Sequence, residues 1–226
     1  MIKFINATKK YGRKVVALDN LNLHIRPGEF VSVVGRSGTG KTTLVKALIG
    51  EECLDKGQVM VGGWDITRVR QSEVHILRKQ IGVIFQDFKL LPNKTLYENV
   101  AFAMEVCGKK SSKIRDIVPQ LLKIVGLQNK VNRYPHEVSG GEKQRAGIAR
   151  SLVHQPKILL ADEPTGNLDS INADEIIELL LKINKFGTTV VLVTHNREIV
   201  NRLRKRVVTI ENGTVAHDQV VGKYVL

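Results

Sequence analysis

The sequence predicts an α/β fold built on a parallel sheet that is covered on both faces. Three observations carry this prediction. Short apolar runs of strand length alternate with segments of helical spacing. A glycine-rich stretch, Gly35 to Gly40, lies between one such run and a helical segment. A second run ends in adjacent carboxylates, Asp162 and Glu163. They sit at the strand terminus beyond which open α/β sheets bind their ligands.

The elements follow in chain order. Residues 2 to 33 are β-rich and read as a subdomain attached to the main sheet. Pro27-Gly28 marks a turn before the apolar run Val31 to Val34. The glycine-rich loop then leads into a helix over Lys41 to Ile49. Ile81 to Phe85 is a second short buried strand. Residues 95 to 154 read as helix in several pieces, with Val100 and Met104, then Leu121, Ile124 and Val125, at helical spacing. Lys157 to Ala161 and Thr188 to Val193 have the length and composition of buried strands. Between them, Ile176, Leu179, Leu180 and Ile183 mark one face of an amphipathic helix. Near the end, Arg206 to Glu211 and Thr214 to His217 flank Asn212-Gly213, a strong hairpin signal. The expected organisation is a single domain over residues 1–226, with an α-helical subdomain at about 87–150.

Composition narrows the function. The chain has 226 residues, of which 42% are hydrophobic and 25% charged, so it can bury a core and is not a disordered polymer. The longest apolar runs, such as Val190 to Val193, fall far short of the roughly 18 residues a membrane span needs. Met1 to Tyr11 lacks the apolar stretch of a secretory signal. Two cysteines, Cys53 and Cys107, make neither a disulfide scaffold nor a zinc site. An integral membrane protein, a secreted mini-protein and a zinc-finger array are excluded, and a reduced, cytoplasmic globular protein is expected. The net charge is +13. Its local clusters are Lys109-Lys110 with Lys113 and Arg115, and Arg202, Arg204, Lys205 and Arg206. These read either as solvated surface or as a face for a membrane or partner. Aromatics make up 5% and do not interleave the clusters, so nucleic acid is not expected.

Two motifs carry chemistry by themselves. Gly35-Arg36-Ser37-Gly38-Thr39-Gly40-Lys41-Thr42 matches G-x-x-x-x-G-K-[ST]. Glycines let the backbone curl so that several N–H groups converge on an anion, and the following helix adds its positive end. Lys41 then reaches the β- and γ-phosphates, and the Thr42 hydroxyl is offered to Mg²⁺. Asp162 is placed to hold Mg²⁺, and Glu163, on the opposite side of the pleat, to polarise water. Hard oxygen ligands favour Mg²⁺ over a transition metal. A third stretch, Ser139-Gly140-Gly141-Glu142-Lys143-Gln144-Arg145, opens a helix. Ser139 and Glu142 fit a capping box, and the two glycines expose N–H groups to a second phosphate contact.

Taken together, these motifs resemble the nucleotide-binding subunits of ABC ATPases over essentially the whole chain. Gly35 to Thr42 resembles the Walker A loop and Ile158 to Glu163 resembles Walker B with its catalytic glutamate. Ser139 to Arg145 resembles the ABC signature, Gln86 the Q-loop glutamine, Asn167-Leu168-Asp169 the D-loop, and His195 the switch histidine. Tyr11 stands where the family places an aromatic under adenine. Two positions depart from the pattern: Asn196, where Asp is frequent, and Val138, where Leu is usual. The resemblance implies a P-loop NTPase core with an antiparallel β subdomain and a helical subdomain. It implies ATP contacts from Tyr11, Gly35 to Thr43 and Gln86, and metal contacts from Thr42, Gln86 and Asp162. Catalysis would fall to Lys41, Glu163 and His195. It also implies a head-to-tail homodimer in the ATP-bound state, in which Ser139, Gly140, Gly141 and Glu142 face the other subunit's ATP.

Within the family, Phe85 to Pro92, Tyr97 to Ala103 and Leu160 to Asp169 are most similar to the cell-division ATPases. The last stretch is shared with lipoprotein-release and MacB-like exporter ATPases. The cell-division resemblance implies an FtsX-like integral membrane partner and a place on the cytoplasmic face of the membrane. Leu90, Leu91 and the Tyr97 to Phe102 segment are candidates for its docking groove, with core packing as the alternative. Chromosome-associated ABC ATPases fit less well, because no sustained heptads appear.

Overall fold

The computed structural model describes residues 1–12 and 14–224. By contact, the chain forms two units, one of Met1–Arg78 with Asn184–Leu226 and one of Lys79–Ile183.

The first unit opens with β1 (Ile2–Tyr11) and β2 (Val15–Ile25), paired antiparallel from Ile2 against Ile25 to Tyr11 against Val15. After the expected turn at Pro27-Gly28 comes β3 (Phe30–Val34), buried along its whole length. The glycine-rich loop leads into α1 (Lys41–Leu48). The chain then returns as β4 (Lys56–Val61), antiparallel to β1, and β5 (Trp64–Asp65), antiparallel to β4. The resulting order is β2-β1-β4-β5. The β-rich start is therefore only half of its sheet. β4 begins Lys56-Gly57-Gln58, all exposed, so its apolar alternation is too short to read from sequence. β3 belongs elsewhere, as its unbroken burial requires. A seven-residue helix, α2 (Val74–Gln80), follows.

The second unit contains β6 (Ile81–Ile84), α3 (Leu96–Val106), α4 (Ser111–Ile124), a short 3-10 turn at Pro135–Glu137, and α5 (Gly140–Ser151). β7 (Ile158–Asp162) lies parallel to β6, and α6 (Ser170–Lys185) follows. Ile176, Leu179, Leu180 and Ile183 form the buried face of α6, as their spacing predicts.

The chain re-enters the first unit with β8 (Thr189–Val193), α7 (Arg197–Leu203), β9 (Arg206–Glu211) and β10 (Thr214–Gln219). β3 lies between β8 and β9 and runs parallel to both. β9 and β10 form the hairpin that Asn212-Gly213 predicts. β8 is buried throughout, and all four residues before the last of β7 are buried. This is why the parallel strands read as continuous apolar runs and not as alternation.

One buried polar side chain fixes the approach to α3. Asn99 is fully buried. Its Oδ1 accepts the Leu91 N–H at 2.7 Å, and its Nδ2 donates to the carbonyls of Leu91, Lys94 and Thr95 at 3.2, 2.9 and 2.9 Å. Asn99→Ala strands those backbone groups. The expected loss is about 1–3 kcal/mol of unfolding free energy, measured by urea denaturation.

Candidate functional site

In the first unit, the loop after β3 is a cradle from which Cβ atoms are excluded. Gly35 has φ 153° and Gly40 has φ 103°. A Cβ on Gly35 would lie 2.3 Å from the Ile210 carbonyl oxygen, and one on Gly40 would lie 2.1 Å from that of Ala17. Gly40 is also the N-cap of α1 and offers no side-chain acceptor. The first-turn N–H groups therefore have no side-chain cap, and they collect at a positive helix end. Lys41 is buried, and its Nζ donates to the Gly35 and Arg36 carbonyls at 2.7 and 2.8 Å. The ammonium is thus held against the loop it serves. Thr39 Oγ1 donates to the Arg36 carbonyl at 3.0 Å and closes the turn. Arg36, Ser37 and Thr42 are exposed, while Thr43 is buried.

His195 follows β8, whose Val193 pairs with Val33 of β3. The loop and the exposed histidine therefore leave neighbouring parallel strands at the same edge. Asn196 caps α7 by accepting the Ile199 N–H at 3.1 Å. Asn and Asp are equally good caps, so this departure from the family pattern leaves the helix start intact. Tyr11, at the end of β1, is partly exposed and lies under Lys9, whose Nζ is 5.3 Å from the ring centroid. Lys9 pairs with Glu52 at 2.9 Å and donates to the Cys53 carbonyl at 2.9 Å. The bond to Glu52 raises the pKa of Lys9 and holds the Glu52 carboxyl below its ordinary range.

The second unit carries a matching pair of strand ends. Ile84 of β6 pairs with Ala161 of β7, so Gln86 and the Asp162-Glu163 pair leave adjacent parallel strands. Glu163 lies past the end of β7, with φ 47°. Pleat alternation therefore does not orient Glu163. Its direction comes from a left-handed turn, a strained conformation for a non-glycine residue. Gln86 Nε2 donates to Asn167 Oδ1 at 3.3 Å, and Asn167 Nδ2 donates to the Gln86 carbonyl at 3.0 Å. The Q-loop position and the D-loop position are thus joined through a reciprocal amide pair.

Three side chains of α5 and α6 acquire importance that the sequence did not disclose. Gln144 is fully buried, and its Nε2 donates to the Pro164 and Phe85 carbonyls at 2.8 and 3.3 Å. It bridges the turn after Glu163 to the end of β6. Arg150 donates to the carbonyls of Phe88 and Lys89. Both of those residues have left-handed φ, 59° and 50°, so the guanidinium clamps a strained segment. Asn172 donates to Asp169 at 2.6 Å and fills the space beside Gly141, where a Cβ would collide with it. The available signal was Gln144 at helical spacing with Ile148 and Ser151, a polar side chain on a buried face.

The start of α5 is the expected capping box. Ser139 Oγ accepts the Glu142 N–H at 3.2 Å, and Glu142 accepts the Ser139 N–H at 2.9 Å. Arg145 of α5 pairs with Glu175 of α6.

Comparison with known proteins decides the family. A family model described as ABC transporter matches residues 18–166. The chain belongs to the ABC transporter family. The cell division ATP-binding protein FtsE of Streptococcus pneumoniae is 48% identical over 224 residues, covering 99% of this chain and 97% of that protein. The protein of the same name from Bacillus subtilis is 47% identical, with 99% and 98% covered. A solved dimeric structure of the ATP-binding cassette MJ0796, in a post-hydrolysis state bound to ADP and Pi, superposes with a TM-score of 0.88 at 34% identity. It covers 99% of this chain and 100% of that one.

The chain is an ABC ATPase that binds and hydrolyses ATP. No helix among the described residues is long and apolar enough to cross a membrane. No cluster of three or more His, Cys, Asp or Glu side chains among them makes a self-contained metal centre.

The ABC signature cap has a pH signature. The Ser139 N–H holds the Glu142 carboxyl below its ordinary range against burial, and Lys130 at 3.1 Å adds to the effect. A depressed folded pKa means that this stabilisation is present above the unfolded glutamate value and is lost as pH falls through the folded one. The protection factor of the Ser139 amide should therefore fall on acidification below the ordinary carboxylate range and stay flat between about pH 6 and 8. Glu142→Gln should abolish the acid step, read by hydrogen-exchange NMR.

Proposed function

We propose that the chain is the ATP-hydrolysing subunit of an FtsEX-like complex in bacterial cell division. It would transmit ATP-driven dimerisation to an FtsX-like integral membrane protein that regulates cell-wall hydrolases. The observation that carries this reading is similarity to FtsE proteins along nearly the whole of both chains. The place of action is the cytoplasmic face of the membrane, reached through that partner.

The proposed chemistry follows from the residues. The glycine cradle of residues 35–42 takes the triphosphate on backbone N–H groups, and the Lys41 ammonium turns from the loop carbonyls to the phosphate oxygens. Arg36, Ser37, Thr39 and Thr43 complete the loop's contacts, and Tyr11 stacks on adenine over a ring that Lys9 holds from behind. Thr42, Gln86 and Asp162 would hold Mg²⁺, which when bound would offset charge on the transferring phosphoryl group. Glu163 takes the proton from the attacking water. His195 contacts the γ-phosphate and registers its loss. The Ser139 hydroxyl, the Gly140 and Gly141 N–H groups and the capping carboxylate Glu142 face the nucleotide of a second copy. ATP then glues two subunits, and hydrolysis removes the glue.

The partner surface is narrower than the apolar run from Tyr97 to Phe102 predicts. Val100 is fully buried and is core. Phe102 is exposed, and Leu90, Leu91 and Tyr97 are partly so. They are the members of that set available to a membrane partner's cytoplasmic helix.

Glu163→Gln should retain ATP binding, lose at least about 100-fold in hydrolysis and elute as a dimer with ATP in size-exclusion chromatography. Hydrolysis at the wild-type rate would remove Glu163 from the base role. Lys41→Ala should weaken nucleotide binding and slow hydrolysis by about 10²–10³-fold. Cells carrying either variant in place of the native chain should fail to separate normally. Normal division with defective lipoprotein release or export would replace the cell-division reading by an exporter one.

A further inference from the structure

The cationic stretch from Arg202 to Arg206 has no part in the nucleotide chemistry. In the first unit its last three residues, Arg204, Lys205 and Arg206, line a cleft of about 700 Å³. Arg206 is the floor. Its Nε and Nη2 donate to the two oxygens of Asp218 at 2.8 and 2.7 Å, and its Nη1 donates to Glu29 and to the His24 carbonyl, each at 2.8 Å. These bonds tie the ends of β2, β9 and β10 to the residue before β3. One guanidinium faces two carboxylates, so the floor presents no spare positive charge.

The walls differ. Arg26, Arg204 and Lys205 line the same cleft, are exposed, and make no ion pair among the described residues. The His24 imidazole is held below its ordinary range by burial first and then by Lys3, the amino terminus and Arg26.

The rim is a fixed segment with its apolar groups facing out. The Gly222 N–H donates to the Lys205 carbonyl at 3.1 Å and the Tyr224 N–H donates to Asn201 Oδ1 at 2.8 Å. The Tyr224 ring packs on Val34, Val200 and Val207, with the Arg197 guanidinium 5.2 Å from its centroid. In this anchored stretch, Val220 and Val221 line the cleft and remain 81% and 73% exposed. Two adjacent valines in water beside three unpaired cations form a surface that lacks its complement.

We propose that this cleft docks an acidic, apolar peptide segment of a protein partner. The three cations meet its carboxylates, and the valine pair meets its apolar side chains. A concave site of this volume accepts a chain segment of a few residues and not a flat bilayer. Such an input lies outside the ATP site and gives the ATPase a second partner-facing surface.

A random dodecapeptide phage library selected on the immobilised full chain tests this. The expected pool is rich in Asp and Glu interleaved with Leu, Ile, Val or Phe. A synthetic peptide from the pool should bind at least about tenfold more weakly to Arg204→Ser/Lys205→Ser and to Val220→Ser/Val221→Ser, and more weakly as salt rises. Arg26→Ser, on a separate segment, should give a loss of the same direction. ATP hydrolysis by these variants should stay at the wild-type rate. A pool without acidic enrichment, or equal binding by the variants, would overturn the proposal. So would co-sedimentation with phosphatidylserine vesicles that the Arg204→Ser/Lys205→Ser change abolishes while no peptide is enriched.

Discussion

The absence of two Cβ atoms is the constraint on which the glycine loop of the first unit, the proposed phosphate cradle, depends. At Gly35 and Gly40 the backbone passes within van der Waals contact of the Ile210 and Ala17 carbonyls. Those carbonyls belong to β9 and β2, so the loop is seated against two elements at once. An alanine at either position must move a backbone strand and not merely a side chain, and the positive φ values add their own penalty. The close approach gives the loop a fixed curl, and the curl directs uncapped N–H groups to one point. Lys41, buried against the carbonyls of the same loop, then supplies charge without a long mobile stem. The proposed phosphate site is thus a property of backbone packing, and the chemistry proposed for it follows from that packing.

In the second unit the equivalent role falls to α5. One helix holds the end of β6 and the turn after Glu163 through Gln144, clamps Phe88 and Lys89 through Arg150, and reaches α6 through Arg145. Its N-terminus is the signature itself, fixed by the box of Ser139 and Glu142. A displacement at Ser139 therefore cannot stay local, because the same rigid element carries the bonds to the strained segment after Gln86. The reciprocal amide pair of Gln86 and Asn167 adds a second connection, toward the turn that begins α6. Buried side-chain bonds of this kind tie their members together and couple their movements.

What could be read in the sequence were features whose cause is local. Parallel strands buried on both faces must be apolar at successive residues, so β3, β7 and β8 announced themselves. The loop at 35–42 and the capping box at 139–142 depend on neighbours three to five residues away and were equally plain. β4 was not, because its apolar content is confined to its second half, and α2 and α7 span too few residues to show a period. The bridge made by Gln144 joins residues 20 and 59 positions distant, and no spacing rule reveals which carbonyls a buried amide will meet. The turn at Glu163 is a further case. Alternation along β7 predicts a side-chain direction, but the chain leaves the strand one residue earlier than that rule assumes.

The same distinction bears on the net charge of +13. Counted along the chain, Arg204, Lys205 and Arg206 are three consecutive equal charges. In the fold they are not equal. Arg206 is drawn inward and neutralised by Glu29 and Asp218, and its bonds raise its pKa further, so it behaves as a structural cross-link between strands. Its neighbours stay outside, opposite Arg26 and beside two exposed valines. A solvated surface would have no need of apolar side chains held in water by an anchored segment, because such groups lower solubility, which the charges alone would raise. The pairing of the two is what separates a recognition surface from surplus charge, and it is visible only after the fold has sorted one arginine from the rest.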